Sequence, residues 1–106
     1  MRRRVDKRGR TLSFGGIELD RHRRTVTRAG SSLALTAKEF AVLELLLMRA
    51  PDSASRTEII EHAWSSHFDS ETNLVEVYIN RLRQKMGEPR LIQTVHGVGY
   101  CLKAGE

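Results

Sequence analysis

Residues 71–86 read ETNLVEVYINRLRQKM, and their spacing decides how the rest of the chain must be arranged. At roughly 100° per residue, Val75, Tyr78, Ile79, Leu82 and Met86 gather on one side of a helix over this stretch, the side that must face a core. The opposite side carries Asn73, Val77, Asn80 and Gln84, with Arg81 on one edge and Glu76 and Arg83 on the other. A solvated helix face is ordinarily dominated by Glu and Lys, whereas this one offers amides, arginines and a bare valine. Asn and Gln present donor and acceptor pairs that match adenine, Arg matches guanine, and an exposed aliphatic group can meet the thymine methyl. Taken alone, the face leaves three readings open: a helix for a DNA major groove, a protein-binding surface, or a merely polar one. Gly87 ends the helix and Pro89 prevents its continuation.

Downstream, residues 91–95 and 100–103 flank a His96-Gly97-Val98-Gly99 turn, the pattern of a β-hairpin. Its glycines let backbone approach a phosphate or a groove wall closely, although a plain glycine turn would look the same. No helix follows this Gly-x-Gly, so it is no dinucleotide motif, and no P-loop pattern occurs. Upstream, Thr36 and Glu39 form a capping box that opens a helix over about 37–49. Phe40, Leu43, Leu46 and Leu47 share one face, and Val42, Leu45 and Met48 broaden it, which predicts a central core helix stopped by Pro51. A second box, Ser55 with Glu58, opens a shorter helix ending at Trp64, followed by a polar loop over 65–70. Before all of these, four short β-like pieces between Leu12 and Leu35 alternate with turn signals such as Gly15-Gly16 and Ala29-Gly30, an antiparallel meander. Two helices, the second presenting the amide and arginine face, describe a helix-turn-helix whose connection is longer than usual.

The 106 residues suit one domain, and a hydrophobic content of 40% is enough for one core. Eighteen Lys and Arg against 13 Asp and Glu give a net charge of +5. Residues 1–28 alone carry ten basic and three acidic side chains, a net of 10 − 3 = +7. Such a run either attracts a polyanion or is a solvated linker end, and residues 1–10 are expected to be a disordered basic linker, with the domain proper over 11–104. No stretch approaches the roughly 18 apolar residues of a membrane span, and the Arg-rich start lacks the apolar run of a signal peptide, so a cytoplasmic protein is expected. The lone Cys101 has no partner for a disulfide and reads as a small buried residue. His22, His62, His67 and His96 lack ligand spacing, and no nucleophile and base are paired, so neither a metal, a cofactor nor an enzymatic activity is expected.

Four blocks in fixed order carry a resemblance: Leu35-Thr36-Ala37-Lys38-Glu39-Phe40; Ser55-Arg56 ahead of Trp64; Asn80-Arg81-Leu82-Arg83-Gln84-Lys85-Met86; and Ile92-Gln93-Thr94-Val95-His96-Gly97-Val98-Gly99-Tyr100. Over about 12–102 the chain resembles the OmpR/PhoB-type winged-helix effector domains of two-component response regulators. The resemblance implies an α+β winged helix-turn-helix: an N-terminal four-stranded antiparallel sheet, three helices and a C-terminal β-hairpin wing. It further implies sequence-specific binding of double-stranded DNA, with the third helix in the major groove and the wing in the minor groove. On that pattern Asn73, Val77, Asn80 and Arg81 would face bases and Arg83 would hold phosphate. Thr94, His96, Gly97 and Tyr100 would sit at the wing, and Arg56 and Trp64 would anchor the DNA backbone from the second helix. Asn80 and His96 stand where many members carry Arg, or Arg or Lys, which implies fewer phosphate contacts and a salt slope lower by about 0.9 for each.

The loop over 65–70, with His67, Phe68 and Asp69, resembles the family's polymerase-contacting loop, for RNA polymerase or its sigma factor, and would equally serve as a simple connector. Family members bind promoter direct repeats as head-to-tail dimers, with half-sites about one helical turn apart. Their phosphorylated receiver domain does not fit in 106 residues, so an effector domain separated from its receiver, or lacking one, is expected, with residues 2–10 the linker remnant. Two other classes stay in view: an adaptor that uses the winged-helix surface for protein contacts, and a basic RNA-binding domain, for which six aromatics leave few to stack on bases.

Overall fold

The computed structural model describes residues 4–5, 10–64, 74–87 and 90–103. Strands β1 (Arg4–Val5), β2 (Thr11–Phe14), β3 (Ile17–Asp20), β4 (Thr25–Arg28) and β5 (Ser31–Leu33) pair in chain order as an antiparallel sheet. The alternation of the strands sets one face inward: Leu12 pairs with Leu19, Leu19 with Val26 and Val26 with Leu33, a single apolar row across four strands. The expected meander of four strands is present, and the pairing of Arg4–Val5 with β2 adds a fifth at its edge, within the stretch read as a linker. Two residues in a basic run carry no period from which a strand could be read.

Helix α1 (Ala37–Arg49) begins at the expected capping box: Thr36 Oγ1 accepts from Glu39 N at 3.2 Å, and Glu39 Oε1 accepts from Thr36 N at 2.9 Å. Val42, Leu43, Leu46 and Leu47 are wholly enclosed, so α1 is the central helix. Met48 departs from the expectation: it lies 36% exposed, because the stripe's breadth exceeds what the sheet and the other helices cover. Helix α2 (Arg56–Trp64) starts at the second capping box, with Ser55 N donating to Glu58 Oε1 at 2.8 Å and Glu58 N to Ser55 Oγ at 3.1 Å. Ile59, Ile60 and Ala63 turn it onto α1. Glu44 of α1 ties the layers together, taking a hydrogen bond from Arg21 at 2.8 Å and meeting His62 of α2 at 3.1 Å.

Helix α3 (Leu74–Met86) buries Val75, Ile79, Leu82 and Met86, with Tyr78 partly buried beside them, as its spacing predicts. Residues 71–73 and Pro89 lie outside the described residues. Gly87 closes the helix in a left-handed conformation, φ +74°, its N–H donating to Arg83 O at 3.0 Å. The chain ends in a hairpin of β7 (Ile92–Val95) and β8 (Gly99–Leu102). Strand β8 also pairs with a two-residue strand, β6 (Ala54–Ser55), between α1 and α2. Gly99 makes that seat possible, because a Cβ there would stand 2.0 Å from Ala54 O. The wing is thus fixed to the helical body by backbone pairing. Cys101 is buried in β8, and burial pushes its thiol up from the ordinary value, as a structural cysteine requires.

Candidate nucleic-acid interface

Helix α3 is held along its length by polar side chains from every neighbouring element, and its outward face is what those ties leave uncovered. Toward its N-terminal half, Glu76 receives Arg56 of α2 in a two-pronged ion pair, Nε to Oε2 at 2.8 Å and Nη2 to Oε1 at 3.1 Å. The Tyr100 hydroxyl reaches the same carboxylate from β8 at 3.4 Å. The Arg56 hydrogen bonds hold the Glu76 carboxyl below the usual carboxylate range and push the Arg56 guanidinium up. Burial, with Glu76 nearby, raises the Tyr100 phenol, which keeps its proton as a donor.

At the other end, Arg83 Nε donates to Ile92 O at 3.2 Å and Nη2 to Thr94 Oγ1 at 3.0 Å, tying α3 to the first wing strand. Burial, together with the neighbouring Arg90, pulls the Arg83 guanidinium down from its usual value. Arg28, buried in β4, donates to the carbonyls of Met86 at 2.9 Å and Gly87 at 3.1 Å, a cation on otherwise orphaned acceptors at the negative end of α3. Lys85 donates to Glu39 Oε1 at 2.6 Å and to Ala34 O at 2.9 Å.

Between these anchors Asn80, Arg81 and Gln84 are exposed, and Val77 is half-buried beside them. Among the described residues Arg81 pairs with no carboxylate; its guanidinium rests over the Tyr78 ring, 5.0 Å from the centroid. Thr94, His96 and Gly97 are exposed on the wing, Gly97 at φ +77° in its turn, and Val98 at the tip is 52% exposed. A groove between the wing and the start of α2 is lined by Arg56, Thr57, Thr94, Gly97 and Val98. The α3 face and the wing therefore border one continuous surface, joined through the Arg83–Thr94 hydrogen bond.

Not every expected residue reaches that surface in the same way. Tyr100 is buried, only 7% exposed, and contributes through its hydroxyl on Glu76. Arg56 faces the groove but its guanidinium is engaged by Glu76. Trp64 is half-buried, edge-on to Tyr78 with centroids 5.2 Å apart. Asn73, and the loop residues His67, Phe68 and Asp69, lie outside the described residues. Three further residues border this surface without a site role that their sequence spacing gives. Glu76 is the junction of α2, α3 and the wing, but its partners stand 20 and 24 positions away, beyond any local pattern. Thr57 shares the groove, and Arg90 lines a hollow with Arg83 and Gln84 at the end of α3. Arg90 alone had a usable signal: a cation flanking the same hairpin.

Comparison with known proteins bears on this surface. Residues 30–102 match the family described as transcriptional regulatory protein, C terminal. The chain is 39% identical over 109 residues to the transcriptional regulatory protein PcoR of Escherichia coli, covering all of this chain and 48% of that protein. It is 42% identical over 106 residues to the transcriptional activator protein IrlR of Burkholderia pseudomallei, covering 97% of this chain and 46% of that protein. It thus spans about half the length of these relatives. Among solved structures, the Klebsiella pneumoniae RstA DNA-binding domain in complex with the RstA box superposes with a TM-score of 0.77 at 31% identity, over 87% of this chain and 95% of that one.

Proposed function

The chain belongs to the OmpR/PhoB-type family of transcriptional regulatory effector domains, and from that premise we propose that it binds double-stranded DNA sequence-specifically, α3 in the major groove and the wing in the minor groove. One observation carries this reading: the exposed amides and arginine of α3 stand beside a wing that Arg83, Gly99 and Glu76 fix in place. A reading surface must be rigid before it meets DNA, because contacts that first have to be ordered contribute less affinity.

Asn80, Arg81 and Val77, with Asn73, face base edges in this reading. Arg83, Arg56 and Trp64 face the phosphate backbone, and Thr94, His96 and Gly97 build the wing contact, which the buried Tyr100 supports from behind through its hydroxyl on Glu76. Residues 11–104 form the working domain and residues 1–10 a basic linker to a phosphorylatable receiver domain, a linker that also lends Arg4–Val5 to the sheet edge as β1. Two copies bind promoter direct repeats head to tail, and His67, Phe68 and Asp69 meet RNA polymerase or its sigma factor. In this reading the protein works where its DNA partner is, in the cytoplasm, as a binding domain.

Selection of bound duplexes from a random pool, followed by titration of the selected duplex with salt, tests this directly. The expected result is an enriched common sequence whose affinity falls with log salt at a slope near 0.9 per phosphate contact. A pool that stays random after selection contradicts it.

A further inference from the structure

Tyr78 belongs to the core stripe of α3, but its ring has a second occupation. The Arg81 guanidinium lies over it at 5.0 Å, within cation–π range and one turn along the helix. The ring is itself braced: Trp64 of α2 meets it edge-on at 5.2 Å and 80° between planes. The Trp64 face in turn carries the Lys38 ammonium of α1 at 5.6 Å, and Lys38 Nζ donates to Ala63 O at 3.1 Å. A cation, two rings and a second cation thus run across the three helices and end on Arg81.

The geometry suits one task. A free arginine on a helix surface samples many rotamers, and ordering it detracts from any contact it makes. Donating hydrogen bonds to a carboxylate would order it but would occupy its N–H groups, as Glu76 does for Arg56. A cation–π contact with a ring orders the guanidinium without engaging a hydrogen-bond acceptor, so its N–H groups stay available to another partner. Those are the donors that a guanine needs, two parallel bonds to O6 and N7. We propose that Tyr78 is a specificity-determining positioning residue, whose ring, braced by Trp64, holds the Arg81 guanidinium ready for bidentate reading of a guanine. This inference rests on the assignment of α3 to the major groove.

The test compares wild type, Tyr78→Phe and Tyr78→Met on the selected duplex and on a random-sequence duplex at one salt concentration. Phenylalanine keeps the ring and should keep the ratio of the two affinities. Methionine fills the space without a ring, and should lower that ratio about two- to five-fold while affinity for random duplex and the salt slope stay unchanged. A ratio unaffected by Tyr78→Met, or equal weakening on both duplexes, overturns the proposal. Should Tyr78→Met fail to fold, the unmutated protein decides: ring-current shifts must move the Arg81 side-chain proton resonances upfield, and resonances at unshifted positions overturn it. A wild type that prefers no duplex removes the DNA assignment itself, whatever the Arg81 resonances show.

Discussion

The Glu39 carboxylate, almost fully buried, accepts a hydrogen bond from Lys85 Nζ at 2.6 Å while its backbone and side chain complete the capping box of α1. One side chain therefore starts the central helix and anchors the last turns of α3. Replacing Glu39 by Ala leaves the Thr36 N–H and the Lys85 ammonium without this acceptor. The expected loss of stability is about 2–4 kcal/mol, read from the midpoint and slope of urea unfolding. A loss no larger than an exposed charge gives would show that the pair does not join the two helices.

Acid should unfold the domain through carboxylates that folding stabilises in their charged form. For Glu76, the Arg56 bonds lower its pKa below the ordinary 4.5. For Glu39, burial acts to raise it, and the Lys85 and Thr36 hydrogen bonds outweigh that, so it too falls below 4.5. The unfolded chain then binds more protons than the folded one in this range. The stabilisation is complete above pH 4.5 and is lost as pH falls through the lower folded values. Thermal unfolding followed by circular dichroism should show the melting temperature dropping below pH 4.5, less steeply in Glu76→Gln. Equal slopes in wild type and variant would contradict the Glu76 contribution.

Gly99→Ala places a Cβ 2.0 Å from Ala54 O and 2.8 Å from Ser55 Cα, both backbone atoms that cannot swing aside. Strands β6 and β8 must part, at a cost of about 1–3 kcal/mol, and the wing loses its seat on the helical body. Gly97→Ala meets nothing within 4 Å and carries only the strain of its φ of +77°, about 1–2 kcal/mol. Hydrogen exchange should therefore show β7 and β8 amides opening faster in Gly99→Ala than in Gly97→Ala. The reverse order would mean that the wing is not held by its pairing with β6.

Arginines on one helix should fail in different ways. If the exposed groups of Arg81 and Asn80 face base edges, Arg81→Ala and Asn80→Ala should change which duplex is preferred. Arg83→Ala should weaken all duplexes alike and lower the salt slope by about 0.9 if it holds one phosphate. Fluorescence anisotropy over a salt series on selected and random duplexes separates the two patterns. Were Arg81→Ala to leave DNA affinity and preference untouched, the α3 face would belong to a protein partner.

Much of this arrangement was legible in the sequence where its cause is local. Both capping boxes are reciprocal bonds across three residues, so Thr36-x-x-Glu39 and Ser55-x-x-Glu58 locate α1 and α2 from their letters alone. The 3.6-residue period placed Val75, Ile79, Leu82 and Met86 inward and Asn80 and Gln84 outward. What escaped depends on distance along the chain. Arg28 caps α3 from 58 residues away, and no local spacing announces it. Strand β6 is two residues long and exists because Gly99 admits it. Met48 shares the apolar stripe of α1, but which part of a wide stripe stays uncovered is settled only by its neighbours. Tyr100 is buried, not on the wing's surface, because β8 is enclosed on both faces, a pattern that alternation cannot reveal in four residues.

If the proposed function is right, the exposed side of α3 and the wing form one surface that duplex DNA covers on binding. Titrating the isotope-labelled protein with its selected duplex, and following backbone and side-chain resonances by NMR, maps that surface residue by residue. The largest shifts should fall at Asn80, Arg81, Gln84, Thr94 and His96, with the exposed Glu18 and Glu61 unmoved. Shifts centred on the N-terminal sheet, with the α3 face and the wing silent, would contradict it.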